Sequence, residues 1–315
     1  MQKIAPSVLR ALRRHDLLSY QDVIADSLSP AVRIVTGKAA ARRTPIGRSK
    51  FGGEPDLPDD HVWPTHEGRP LAFLGQIRMS DLPMNHLPSK KLPKRGCLWF
   101  WHDALGGWYQ QYTRIAADWG YGFKITFEPG EQTALARRPF PEFPEPKIPK
   151  AKKLRYYSPP DCTPSPEVTI RYKPVWSIDH EALGTLFNKL ERDDADEGWD
   201  RVLAFYREIH EETSSSGNHR LLGDIFEIGG SCLREDCHWM QVGRRKGLDR
   251  WAAQSGAKPA TRRQTQCWQL LAILDTDEPH LNWVWGDAGR LCFFIREQDL
   301  AKCDFAKAEC VLESA

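Results

Sequence analysis

Eight cysteines are the residues of this 315-residue chain best equipped for chemistry. Five of them, Cys232, Cys237, Cys267, Cys292 and Cys303, fall between 232 and 303. Their irregular spacing does not make a disulfide scaffold, so in a reducing compartment they are expected as thiols or metal ligands. Cys232-Leu-Arg-Glu-Asp-Cys237 is a C-x4-C pair behind Gly229-Gly230. That spacing opens the plant-type ferredoxin pattern, but the C-x2-C that should follow directly is missing. If Cys267–Leu274 and Leu291–Ile295 form a hairpin, Cys267 lies at its open end, where the chain leaves towards Cys303. Cys232, Cys237, Cys267 and Cys303 are then the candidate ligands, with mid-strand Cys292 as the alternative fourth. Four thiolates suit zinc or an iron–sulfur cluster, and the competing reading is inert buried thiols. Residues 224–266 carry few apolar side chains at any regular period, so a cross-link from loop to sheet is expected to order them.

Other chemistry is sparse. There is no Gly-x-Ser-x-Gly elbow, Walker loop, His-Glu-x-x-His or Gly-x-Gly-x-x-Gly. His219 with Asp224 could be a base and its orienter, although a hydrogen-bonded structural histidine at a strand start is the favoured reading. Asp287, in Gly286-Asp-Ala-Gly289, reads as a hairpin acid bonding turn amides. No catalytic set converges, and the expectation is a protein that is not an enzyme.

The net charge of +2 gives no global pull towards nucleic acid or membrane. Locally, residues 244–263 carry seven Lys/Arg against Asp249, with Trp251 among them. The opposite sign appears at 191–197. Such patches suit docking of a partner, so Asp193, Asp194 and Asp196 on one side and Arg244, Arg245, Lys246 and Trp251 on the other are candidate partner contacts. No apolar run approaches a membrane span, and residues 1–14 lack the apolar core of a secretory signal, so a cytoplasmic protein is expected.

The elements that would position these residues are mostly strands. Apolar spacing predicts a helix over 7–28, followed by a basic lead-in over 38–50. Strands are expected at 71–77, 97–101, 109–113, 122–127, 168–175, 219–223, 237–242, 267–274, 282–285, 291–295 and 309–312. Helices are expected at 180–192 and 199–212, and a short one at 296–301. Nine prolines over 137–166 read as a stiff arm. Residues 1–44 thus form a helix and lead-in, and 45–315 form a body. Its two β-rich halves (about 45–136 and 218–315) are joined by the arm and a helical pair. The halves echo each other, Leu71–Ile77 with Trp268–Leu274 and Arg95–Trp101 with Gly289–Ile295. The fold class expected is α+β, with duplicated antiparallel sheet units and flanking helices.

Ser49-Lys-Phe-Gly-Gly-Glu-Pro-Asp-Leu-Pro58, Trp63-Pro64, Leu71–Ile77, His219-Arg-Leu-Leu-Gly223 and Trp285–Leu291 resemble, in order, the hallmark segments of the YwqG-like domain of unknown function. The Pro-rich arm, the Cys232–Cys237 segment and the loop 244–263 depart from that pattern. The resemblance implies duplicated antiparallel sheets and, for some members, immunity to interbacterial toxins of the kind delivered by type VI secretion. It also favours an iron–sulfur cluster, four-iron four-sulfur, over zinc at the cysteines. The function expected is an immunity protein that binds and occludes a cognate toxin. The alternatives are a hydrolase-like enzyme or a metal-cluster or nucleic-acid-binding accessory protein.

Overall fold

The computed structural model describes residues 4–39, 43–66, 68–87, 92–102, 122–130, 134–142, 165–178, 180–193, 195–212, 217–225, 227, 232–248, 250–285 and 289–313. It is a mixed helix-and-sheet fold built on a ten-stranded antiparallel sheet. At the sheet's centre, β1 (Leu28–Ala39) pairs along its length with β10 (Val168–Ile178). Outward from β1 come β11 (Arg220–Leu221), β12 (Trp268–Asp275), β13 (Arg290–Arg296) and β14 (Glu309–Glu313). Outward from β10 come β2 (Lys50–Phe51), β6 (Ala72–Arg78), β7 (Cys97–His102) and β8 (Phe123–Glu128). Each side therefore runs as a two-residue strand and then a meander. Register shifts fall at matched places, Phe73/Gly75 in β6 and Leu270/Ala272 in β12.

Alternation along the strands sorts side chains onto two faces. In β13, Leu291, Phe293 and Ile295 join the largest core cluster, whereas Cys292 and Phe294 join another on the opposite face. In β7, Leu98 and Phe100 join the large cluster, while Cys97, Trp99 and Trp101 pack under a separate two-stranded antiparallel sheet of β3 (Asp56–Pro58) and β9 (Leu135–Arg137). Phe100 of β7 meets Phe293 of β13 at 5.3 Å between ring centroids, and Phe127 of β8 meets Phe305 at 4.9 Å. The sheet is thus rolled, and its two ends meet through side chains around the large cluster.

Helices cover the outside. The N-terminal stretch is broken into α1 (Pro6–Arg14), a 3-10 turn (Leu18–Tyr20) and α2 (Gln21–Ser27), rather than the single helix expected over 7–28. The break is at Asp16, whose φ of 53° cannot continue a right-handed helix. These pieces pack with α3 (His180–Asp193) and α4 (Ala195–His210) in one cluster containing Leu12, Leu17, Ile24, Leu186, Phe205 and Ile209. The lead-in reading of the N-terminal segment missed β1, the central strand.

Between β11 and β12 lie α5 (Leu233–Lys246), α6 (Arg250–Gln254) and α7 (Arg262–Gln266). Two expectations fail here, the strand over 237–242 and the basic loop over 244–263. Leu233, Cys237 and Met240 recur at helical spacing and join the cluster on the sheet's outer face. Glu235 and Asp236 sit in the first turn, Arg244, Arg245 and Lys246 in the last, and Gly247 closes the helix at φ 66°. The segment is ordered by a packed helix, so the reason for expecting a cross-link there falls away. Residues 282–285 form isolated bridges instead of a strand. The expected strand at 109–113, most of the arm at 137–166 and Asp287 lie outside the described residues. Among the described residues no helix is long and apolar enough to cross a membrane.

Candidate functional site

The structure separates the four candidate cysteine ligands. Cys232 is the exposed N-cap of α5, and Cys237 is buried one turn further on, facing the sheet. Cys267 lies at the open end of the β12–β13 hairpin, as expected, where its carbonyl accepts the Glu297 amide at 3.0 Å. Its thiol donates to the Gln264 carbonyl at 3.2 Å. Cys303 packs against the large inner cluster, not the outer one that holds Cys237 and Cys267. The alternative, Cys292, is fully buried core. Burial pushes the Cys237 thiol well above its ordinary range, and Glu309 and Asp236 add to the rise. That is the opposite of what a thiolate ligand needs. Among the described residues no three His, Cys, Asp or Glu side chains are grouped to hold a metal ion. The side chains present do not fit a four-thiolate centre.

The candidate partner contacts fare differently. Asp193 ends α3 and Asp196 lies in α4, but their side chains, like Asp194 altogether, lie outside the described residues, as does the side chain of Trp251 in α6. Arg244, Arg245 and Lys246 are exposed together at the end of α5. Arg244 reaches the buried Glu309 at 2.5 Å. Nearby, Arg250 pairs with Asp236 and Arg262 with Glu181. Arg245, Lys246, Lys258 and Arg263 are exposed and, among the described residues, have no carboxylate within ion-pair distance. These side chains make a basic rim strung along the helical layer, Arg245 and Lys246 in the last turn of α5 and Lys258 and Arg263 on the segment whose Ala260 amide bonds Glu235 in the first turn of that helix.

Two buried polar centres flank the central strand pair, and the sequence reading missed both. On the β10 side, Lys50 is wholly buried and its Nζ donates to Asp56 at 3.1 Å and Glu167 at 3.3 Å. Asp56 also accepts from Arg137 Nε at 2.9 Å and Gln76 Nε2 at 2.8 Å. Burial alone would raise the Asp56 carboxyl, but Arg137 and Lys50 hold it below its ordinary range. Two cations and two carboxylates close the set, as burial of charge demands. A small cavity of about 150 Å³ opens beside it, lined by Ile46, Gly47, Arg78, Gly96, Cys97, Gly130 and Leu135.

On the β1 side, Asp277 follows β12 and accepts from Thr36 Oγ1 at 2.7 Å, His219 Nε2 at 3.2 Å and His280 Nδ1 at 2.7 Å. Burial opposes ionisation, yet these three donors hold the Asp277 carboxyl well below the usual range. His219 Nδ1 accepts the Asp275 amide at 3.0 Å, which fixes its tautomer. The alternative pairing of His219 with Asp224 is not formed, and the favoured reading, a hydrogen-bonded structural histidine at a strand start, is what the structure shows. Asp224 instead accepts from Arg234 at 2.6 Å. A single signal could have pointed to Asp277, an acid directly after a strong apolar strand and two residues before Pro279, where a helix start needs a cap.

Residues 49–313 match the family described as Domain of unknown function (DUF1963). The chain belongs to that family. The match spans both buried centres except Thr36, and the central strand β1 precedes it. Among curated proteins, none matches the chain.

Proposed function

We propose that this member of the DUF1963 family works by stoichiometric binding of another protein, covering a toxic enzyme in the manner of an immunity protein, without turnover. The observation that carries this reading is the basic rim of Arg245, Lys246, Lys258 and Arg263, exposed and without carboxylate partners among the described residues. The negative end of the α5 dipole is a structural reason for Arg245 and Lys246 but not for Lys258. The helical layer is seated on the sheet by Leu233, Cys237 and Met240, so the rim is held rigidly. A fixed positive surface steers an acidic partner and fixes its orientation. The likeness of the hallmark segments to YwqG-like proteins supports a toxin as that partner. The mirrored strand order and matched bulges support reading the sheet halves as two copies of one unit.

The test is co-expression with a toxic enzyme encoded beside its gene. The intact protein rescues growth and co-purifies with the toxin. A triple variant, Arg245→Glu, Lys246→Glu and Lys258→Glu, associates at least tenfold more slowly at low salt, and the difference shrinks as salt rises. If the intact protein protects against no neighbouring toxin, the reading fails.

A further inference from the structure

The tip of α5 carries an apolar side chain that the fold leaves uncovered. Residues 244–248 are all exposed, and Leu248 among them is 43% exposed. Gly247 ends the helix at φ 66°, and the amides of Gly247 and Leu248 both return to the Gly243 carbonyl, the latter at 2.9 Å. In a helix stop of this kind the residue after the glycine commonly packs its side chain back on the last turns. Here those turns offer Gly243, which has no side chain to meet, and then Arg244, Arg245 and Lys246. Leu248 therefore stays in solvent.

The cations around it divide into two kinds. Arg244, at the start of the exposed run, is committed to Glu309 of β14, and Arg250, just beyond it, to Asp236 at 2.6 Å. Glu309 is buried and Asp236 lies in the first turn of α5, so these two pairs pin the tip to the body from both sides. Between them, Arg245 and Lys246 have no carboxylate within ion-pair distance among the described residues. The other end of the rim, Lys258 and Arg263, lies beside the first turn of α5, about 20 Å away along a helix of 14 residues. No large exposed apolar side chain accompanies it among the described residues, so the rim is asymmetric.

A lone exposed leucine is ordinary on a protein surface. On a pinned tip, beside cations the chain does not use, it has the arrangement of an interface anchor, apolar at the centre and charged at the edge. We infer that Leu248 is the anchor of the docking surface, and that the partner presents there an apolar notch bordered by carboxylates. This rests on the proposed reading of the rim as a protein-binding surface, and adds where the contact is centred. The cations steer the partner in and the leucine holds it, so the two act on different rates. A nucleic acid would meet the cations through its phosphates and gain little from the leucine.

The experiment measures association and dissociation rates of the whole protein with the purified toxin encoded beside its gene. The parent is compared with Leu248→Ala and with the double variant Arg245→Glu, Lys246→Glu. Leu248→Ala changes an exposed side chain, so it keeps the parent's Tm. It dissociates about tenfold faster, while its association rate stays within about twofold of the parent's. The double variant associates more slowly at low salt and approaches the parent at high salt. If the parent binds and Leu248→Ala dissociates at the parental rate, the inference is overturned while the reading of the rim stands. If the parent binds no neighbouring toxin, both fall. A short DNA duplex serves as the second probe. Salt-sensitive binding of it that the double variant loses and Leu248→Ala keeps would assign the rim to nucleic acid and overturn the inference.

Discussion

Replacing Cys237 by serine separates a packing thiol from a ligand thiol. Cys237 is wholly buried on the inner face of α5, among Leu233, Met240, Leu270 and Phe294. A hydroxyl at that place loses apolar burial and is desolvated, a penalty of about 1–3 kcal/mol. The serine can bond the carbonyl one turn back, which recovers part of it, so the net loss is about 2 kcal/mol. For a chain of this size that is a fall in Tm of about 3 °C. Cys232 is exposed at the N-cap, and its serine variant stays within about 0.5 kcal/mol of the parent. Cys267 and Cys303 are half-buried on different clusters and fall in between. Urea unfolding followed by tryptophan fluorescence, with the four single variants side by side, reads this ordering directly. A shared metal centre predicts the opposite pattern, because losing any one ligand dismantles the whole site. Equal losses of several kcal/mol in all four variants, with stoichiometric iron or zinc in the parent, would refute the packing argument.

Three further outcomes follow from the buried centres. Lys50→Met leaves Glu167 and Asp56 short of a cation, and with Arg137 still in place the loss is about 3 kcal/mol by urea titration; a neutral result would mean the network contributes nothing. Asp277 has its carboxyl held below its unfolded value, so its contribution is present above about pH 4 and is lost as pH falls towards the folded value. The stability gap between the parent and Asp277→Asn therefore narrows between pH 6 and pH 3, and a gap that widens on acidification would contradict the assignment. Gly75→Ala places a methyl 2.3 Å from the Phe51 ring and 3.0 Å from the Lys50 carbonyl, so it costs about 1–3 kcal/mol, whereas Gly184→Ala, with open space around it, is tolerated.

Legibility followed apolar pattern. The runs that became β6, β7, β12 and β13, and the amphipathic stretches that became α3 and α4, stand out because burial on one or both faces leaves a clear period. The strand β1 did not, since Arg33 and Thr36 are buried polar residues and Pro30 lies within it, so its sequence does not look like a central strand. α5 was hidden for a related reason, since its core face is Leu233, Cys237 and Met240 amid charges, and the cysteine drew attention as a ligand when it was serving as a small apolar side chain. The buried centres were illegible because their partners come from distant segments, Lys50 with Glu167 and Thr36 with Asp277, and no local spacing announces such pairs. The exposed cations Arg244, Arg245 and Lys246 were legible, since charge clustered in sequence remains clustered on a helix end.

The seam between β1 and β10 also governs how the chain folds. Residue 28 pairs with residue 178 and residue 36 with residue 170, whereas the meanders β6–β7–β8 and β12–β13–β14 are closed by much nearer neighbours. Closing long loops is slow, so the two meanders form first as local units and the seam zips last. Until it does, each half presents two unpaired strand edges, and β12–β14 in particular emerges only after its partner across the seam has been made. The exposed state with the greatest risk of intermolecular pairing is therefore the one in which both halves are built and β1 is still free.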